Sequence, residues 1–187
     1  MKLSPRGKLL FLIGIFVVPV VAAYLAYFGL RPVGHTNYGD LLAVTPLQRT
    51  AGTVHDGTVL DLQTLRGKWL MLRVGPADCD AQCARQLYLM RQIRIAQGKE
   101  QSRIERLWVL TSEGGIDPAL LREYPGMHVW RPASLEFVEQ FPTDGAGTGR
   151  IYLVDPIGNL MLRFPADPEP KRMMKDLKLL LKASQIG

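Results

Sequence analysis

The stretch WLMLRVGPADCDAQC, residues 69–83, decides how this chain of 187 residues is read. Trp69–Gly75 is apolar apart from Arg73 and is bounded by Gly67-Lys68 and Gly75-Pro76, which is the pattern of a buried central strand. A helix is expected next, from Asp80 to Gln97, with Gly98 placed to end it. The chain's two cysteines, Cys79 and Cys83, therefore fall at a strand-to-helix turn. A helix amino terminus lowers a thiol pKa, and the thiolate is both the nucleophile and the metal ligand. Asp78 and Asp80 oppose that shift, whereas Arg73 and Arg85 favour it.

The spacing of the two cysteines sorts their uses. Side chains at i and i+4 of a helix have Cβ atoms about 5–6 Å apart, whereas a disulfide needs roughly 3.5–4.5 Å. A 79–83 bridge therefore requires Cys79 in the loop with Asp80 as the helix cap. Two thiolates holding one soft ion such as Cu(I) tolerate the wider separation. A structural zinc would need four ligands, and there is no second cysteine pair. An inert bridge, natural in an oxidising compartment, is the third use.

Outward from this centre, Thr58–Leu62 alternates after the turn His55-Asp56-Gly57 and is expected to be a short strand. Leu107–Thr111 is the next strand, and Asp117-Pro118 caps a short helix. A strand at 127–131 and a helix at 133–140 follow. Arg150–Asp155, the turn Pro156–Asn159 and Leu160–Phe164 form a hairpin. A final helix runs from about Pro168 to Ala183, its apolar residues Met173, Met174, Leu177, Leu180 and Leu181 opposed by Lys171, Arg172, Lys175, Lys178 and Lys182. That basic face is either a solvated exterior or a surface for an anionic membrane. Strands and helices in this order make an α/β layered domain.

Towards the amino end, residues 9–30 hold no charge, and about 33 Å of helix is enough to cross a bilayer core. A cleavable signal has an apolar stretch of about 7–15 residues, so a retained anchor is expected. Lys2, Arg6 and Lys8 lie in the short region 1–8, which the positive-inside rule leaves in the cytoplasm. The expected organisation is therefore a cytoplasmic region 1–8, an anchor 9–30, a tether 31–46 and a periplasmic domain 47–187, in a bacterial inner membrane. Net charge is +6, from 23 Lys and Arg against 17 Asp and Glu. Half of that excess lies before residue 31, which leaves a mildly basic domain with no nucleic-acid-binding pattern. Apolar residues at 47% exclude a disordered chain.

Taken together, these residues resemble the Sco/SenC family, membrane-anchored thioredoxin-fold proteins of cytochrome c oxidase copper-centre assembly. The resemblance spans most of residues 53–165. It is carried by Asp56-Gly57, by Leu65-Arg66-Gly67-Lys68-Trp69, by CDAQC with Leu87 and Met90 behind it, and by Tyr152-Leu-Val-Asp-Pro-Ile-Gly158. It implies a thioredoxin-like fold, partners among oxidase subunits or assembly factors, and work by Cys79 and Cys83 as a thiol reductant or a Cu(I) carrier. The sequence departs from the family at the third copper ligand. The family's histidine falls here at Gly147, and Thr148-Gly149-Arg150 stand where thioredoxins carry a proline. His128 is the candidate replacement ligand; His55, in a turn, and His35, in the tether, are weaker ones. Met90 is better placed as core. Pro76, three residues before Cys79, argues against a peroxiredoxin-type peroxidase. The lost histidine also motivates an alternative: a non-catalytic docking module with a structural disulfide.

Overall fold

The computed structural model describes residues 4–29, 37–143, 149–184 and 186. His35, Gly147 and Thr148 lie outside these residues, as does the first part of the expected tether. Helix α1 (Pro5–Gly29) is a unit by itself, and residues from Asn37 onward form one compact unit. α1 is long and apolar enough to cross a membrane by length and composition, with Pro19 inside it.

The compact unit carries β1 (Asp40–Pro46), β2 (Ala51–Val54), β3 (Val59–Asp61), β4 (Trp69–Gly75), α2 (Ala81–Ala96), β5 (Ile104–Leu110), α3 (Pro118–Glu123), β6 (Met127–Pro132), α4 (Glu136–Glu139), β7 (Ile151–Val154), β8 (Asn159–Arg163) and α5 (Pro170–Ala183). The strands make one mixed sheet in the order β1-β8-β7-β4-β5-β6-β2-β3. β4, β5 and β6 run parallel, while β7 is antiparallel to β4. β4 is buried at every position because it lies mid-sheet with side chains packed on both faces. On one face Met71, Trp108 and Ile151 pack with Cys83, Leu87 and Met90 of α2 and with Met173 and Leu177 of α5. On the other, Leu72, Val109 and Tyr152 pack with Phe137 and Phe141.

The turns follow from local chemistry. Asp56 Oδ1 accepts from the Thr58 amide and hydroxyl at 2.9 and 2.7 Å, and Gly57 takes a positive φ of 85° to close the β2–β3 hairpin. Asp155 does the same for β7–β8, accepting from the Ile157 and Asn159 amides. Asp117 Oδ1 accepts from the Ala119 amide at the start of α3.

Two segments differ from expectation. Residues 40–46, read as tether, are the edge strand β1, paired antiparallel with β8. The Tyr38 and Gly39 amides donate to the buried Asp176 carboxylate at 2.8 and 2.9 Å, so distant contacts, not local pattern, bring this segment into the sheet. β2 was also not expected, since Ala51-Gly-Thr-Val lacks strand-forming bulk. Its Gly52 lies so close to Arg131 O and the Trp130 indole that a Cβ would collide with both. Trp130 Nε1 then donates to Leu60 O at 3.1 Å, tying the β2–β3 hairpin to β6. The helix expected over 133–140 is shorter, Glu136–Glu139.

Candidate functional site at the carboxyl end of the central strand

The chain leaves β4 at Gly75, crosses Pro76–Asp80 and enters α2. Asp80 is extended (φ −69°, ψ 179°), and its Oδ1 accepts from the Cys83 amide at 2.7 Å. This is the cap that a 79–83 bridge requires, with Cys79 off the helix, and the bridge is present. The two Cα atoms are 5.2 Å apart. Cys83 is wholly buried against the sheet, whereas Cys79 is only partly buried. One sulfur can be reached from outside and the other is held behind it.

Cys79 opens onto a cleft of about 490 Å³ whose other wall is the loop after β5. Ser112 Oγ accepts from the Ala77 amide at 3.0 Å and the Thr111 amide donates to Gly75 O at 3.1 Å, fixing the two loops side by side. Asp78, Glu113 and Asp117 make the rim acidic. Arg131 crosses behind, donating to Ser112 O and Gly114 O.

Beneath the pair lies a buried polar group that the bare sequence only half revealed. Arg73, 3% exposed, donates through Nε to Gln86 Oε1 at 2.9 Å, and its Nη1 has no hydrogen-bond partner among the described residues. The guanidinium lies against Gly75, where a Cβ would collide with it, and its Cζ is 5.7 Å from the Trp108 ring centroid. Burial pushes the Arg73 pKa down to about 10, against the pull of the Asp80 charge. Gln86 uses its other end to donate to Gly149 O at 2.6 Å and Ala166 O at 2.7 Å. Gly149 takes φ +120° just before β7, the place of the missing proline. A lone arginine within an apolar strand was the available signal, because a buried charge needs partners. Gln86, three residues after Cys83 on the same helix face, carries no local sequence signal for this role. Arg85, expected to favour a thiolate, is exposed and pairs with Asp167 at 3.6 Å.

The structure does not bring His128 to the cysteines. It stands near the start of β6, opposite Leu107 of β5, while the bridge lies beyond Gly75 and Leu110 at the other end of those strands. Its neighbours Met127 and Val129 point to the face that holds Cys83, so alternation turns His128 to the opposite face. There its Nε2 lies 3.7 Å from Glu105 Oε2. The cause is strand register, which sets His128 at the other end of the strands and on the other face from the cysteine pair. His55 lies on the β2–β3 turn, lining a neighbouring cleft with Gly114 and Arg131. Met90 is fully buried in the core, as expected. Among the described residues no three His, Cys, Asp or Glu side chains are grouped to hold a metal. The donor set for a soft ion is thus the two sulfurs in their reduced form.

Residues 69–184 match the family described as the transmembrane-like, thioredoxin-like C-terminal domain. The chain belongs to this family. No curated protein matches this thioredoxin-like chain. Among solved structures it is similar to Bradyrhizobium japonicum ScoI with copper bound, at 17% identity, TM-score 0.56, covering 72% of this chain and 99% of that one. It is also similar to BsSco, described as a Sco-family cytochrome c oxidase assembly protein with a disulfide switch, at 13% identity and TM-score 0.58, covering 80% and 100%. A third is the thioredoxin domain of a thiol-disulfide oxidoreductase from Bacteroides vulgatus, at 16% identity and TM-score 0.54, covering 76% and 97%. At these identities the likeness establishes a shared thioredoxin-like fold, in agreement with the expected fold class.

Proposed function

We propose that the protein is a membrane-anchored thiol–disulfide reductant acting through Cys79 and Cys83 in the assembly of a respiratory oxidase copper centre. The observation that carries this reading is the asymmetry of the pair: a reachable Cys79 in front of a buried Cys83, both at the start of α2. In the reduced form the Cys79 thiolate attacks one sulfur of a target disulfide, and the other target sulfur leaves as a thiolate that takes up a proton. Cys83, deprotonated, then attacks Cys79 Sγ, releases the second target thiol and closes the 79–83 disulfide. Two electrons pass to the target, and an external dithiol must re-reduce the pair before the next cycle. The target belongs to the oxidase by virtue of the Sco-like fold and the motifs quoted above; copper-site cysteines are the chemistry that fits.

Cu(I) carriage by the same two sulfurs is the companion role. Among the described residues two thiolates are present with no grouped third donor, so the reading places electron transfer ahead of metal delivery. The chain is oriented with residues 1–8 in the cytoplasm, 9–30 as the span, and the globular part in the periplasm. Lys2, Arg6 and Lys8 before the apolar run support that orientation.

The test is exchange between the reduced full-length protein, in detergent, and a disulfide peptide. Reduction of the peptide should vanish in Cys79→Ser, and Cys83→Ser should accumulate a mixed disulfide at Cys79. If peptide reduction is equal in wild type and in Cys79→Ser, the thiols are not the working groups. Normal oxidase assembly by the double serine variant would make the domain a docking module with a static bridge.

A further inference from the structure

The cations of α5 are sorted with unusual sharpness. Lys171, Arg172, Lys175, Lys178 and Lys182 are all exposed, whereas Met173, Asp176, Leu177 and Leu181 are buried. At about 100° per residue the four lysines fall within roughly 60° of the helix circumference. Leu179, 46% exposed, sits on the flank of that arc. Lys99 stands across a groove of about 770 Å³ whose walls include Met174, Leu181 and Ala96. The acidic groups described on this side are Glu100, held by Arg103 at 2.8 Å and 3.9 Å from Lys99, and, at the helix start, Glu169 and Asp167, the latter paired with Arg85. Asp176 faces inward and is satisfied by two backbone amides.

A second, independent observation says what this face meets. The compact unit's first residues are fastened to α5: Tyr38 and Gly39 to Asp176, the Tyr38 hydroxyl to the Glu169 amide at 2.8 Å, and Arg172 over the Tyr38 ring at 4.3 Å. In the sequence only residues 30–36 separate Tyr38's neighbour Asn37 from the apolar helix α1. The element to which the incoming chain is tied is therefore also the most cationic one. An acidic soluble partner would not call for that coincidence, whereas a bilayer that the same chain crosses does.

We propose that the lysine face of α5, with Lys99, rests on an anionic phospholipid surface, phosphate headgroups entering the groove between α5 and the 98–103 turn. The inference rests on α1 spanning the membrane and not on the thiol chemistry. Its consequence is orientation: contact through α5 fixes which way the Cys79 cleft is presented to partners in the same membrane.

Lysine footprinting of the full chain in lipid nanodiscs tests it. Discs are made of phosphatidylcholine alone or with phosphatidylglycerol, and amine-reactive labelling is read by mass spectrometry. Lys171, Lys175, Lys178, Lys182 and Lys99 should each be protected about fivefold in the anionic discs, the factor a lysine near such a surface is worth. Lys68, paired with Glu105 at the base of the sheet, should label equally in both. Protection should disappear at 1 M salt, where the Debye length is about 3 Å, and the remaining lysines should lose it in the triple variant Lys175→Glu, Lys178→Glu, Lys182→Glu. Equal labelling in both discs overturns the proposal, as does equal protection by inorganic phosphate with neutral lipid. A chain that co-purifies with neither disc overturns the span and this inference together. Thiol exchange, measured on the same preparations, reports separately on the function proposed above.

Discussion

Replacing Arg73 by methionine separates the energetic role of the buried guanidinium from its electrostatic one. Burial holds the Arg73 pKa at about 10, well below the usual arginine value. At 1.36 kcal/mol per unit, the folded protein disfavours this charge by about 3 kcal/mol at neutral pH. Because a cation's pKa is depressed on folding, that penalty is in full force below pH 10 and is relieved only as pH rises beyond it towards the usual arginine value. Methionine removes the penalty and fills similar volume. It also forfeits a charge-assisted hydrogen bond to Gln86, worth about 1.5–3 kcal/mol, and leaves Gln86 Oε1 unpaired. The two sides nearly cancel, so Arg73→Met should change unfolding free energy by less than about 1.5 kcal/mol. The redox consequence does not cancel. The guanidinium is hydrogen-bonded one helical turn from Cys83. Two unit charges one and a half helical pitches apart, about 8 Å, interact at an effective dielectric of 20 by about 2 kcal/mol, in favour of a thiolate. For a two-electron couple that is about 40 mV, so the variant's 79–83 disulfide should become harder to reduce by that amount. Glutathione-poised equilibration with alkylation of free thiols measures it. Arg73→Lys, which keeps the charge, should stay near wild type. An unchanged potential in Arg73→Met, or a rise, would refute the assignment of Arg73 as the counter-charge.

Other perturbations test the scaffold. Asp80→Ala removes the acceptor for the Cys83 amide and should cost about 1 kcal/mol in denaturant unfolding, with Asp80→Asn costing less because asparagine also caps. Gly52→Ala forces a Cβ into Arg131 O and the Trp130 ring and should destabilise by about 2 kcal/mol or more; a wild-type melting temperature would contradict the packing of β2 under that indole. Arg103 holds the Glu100 pKa below its usual 4.5. A carboxylate lowered on folding contributes stability above that value and loses it as pH falls through the folded one. Glu100→Gln should therefore lower stability slightly at pH 7 and flatten the acid limb below about pH 5, the two profiles meeting at low pH.

Where burial is dictated by composition, the sequence was readable. Trp69–Gly75 could only be a core strand, and Asp80 could only admit a 79–83 bridge by capping α2 from outside it. Asp56-Gly57 and Asp155–Gly158 likewise carry their own turn chemistry. What escaped notice depends on distant partners. Residues 40–46 have no decisive pattern, and they join the sheet because β8 offers an edge and Asp176, more than 100 residues away, accepts the preceding amides. β2 is a strand because Trp130 needs a glycine beneath it. At the site, the pair of cysteines and the helix start were legible, and so was the charge of Arg73. Gln86 was not, since nothing in its local context marks a glutamine that bridges β4, Gly149 and Ala166. The place of His128 is not legible either, because its distance along the chain says nothing about which face of β6 it takes.

The fastening of β1 to β8 and α5 also sets a clock. In a chain made from its amino end, the segment 37–46 must wait for residues 159–176 before it can settle. Cys79 and Cys83 emerge long before then, without the finished sheet to hide the inner sulfur. For that interval Cys83 lacks part of the core that hides it in the folded protein, the part that Met173 and Leu177 of the last helix supply.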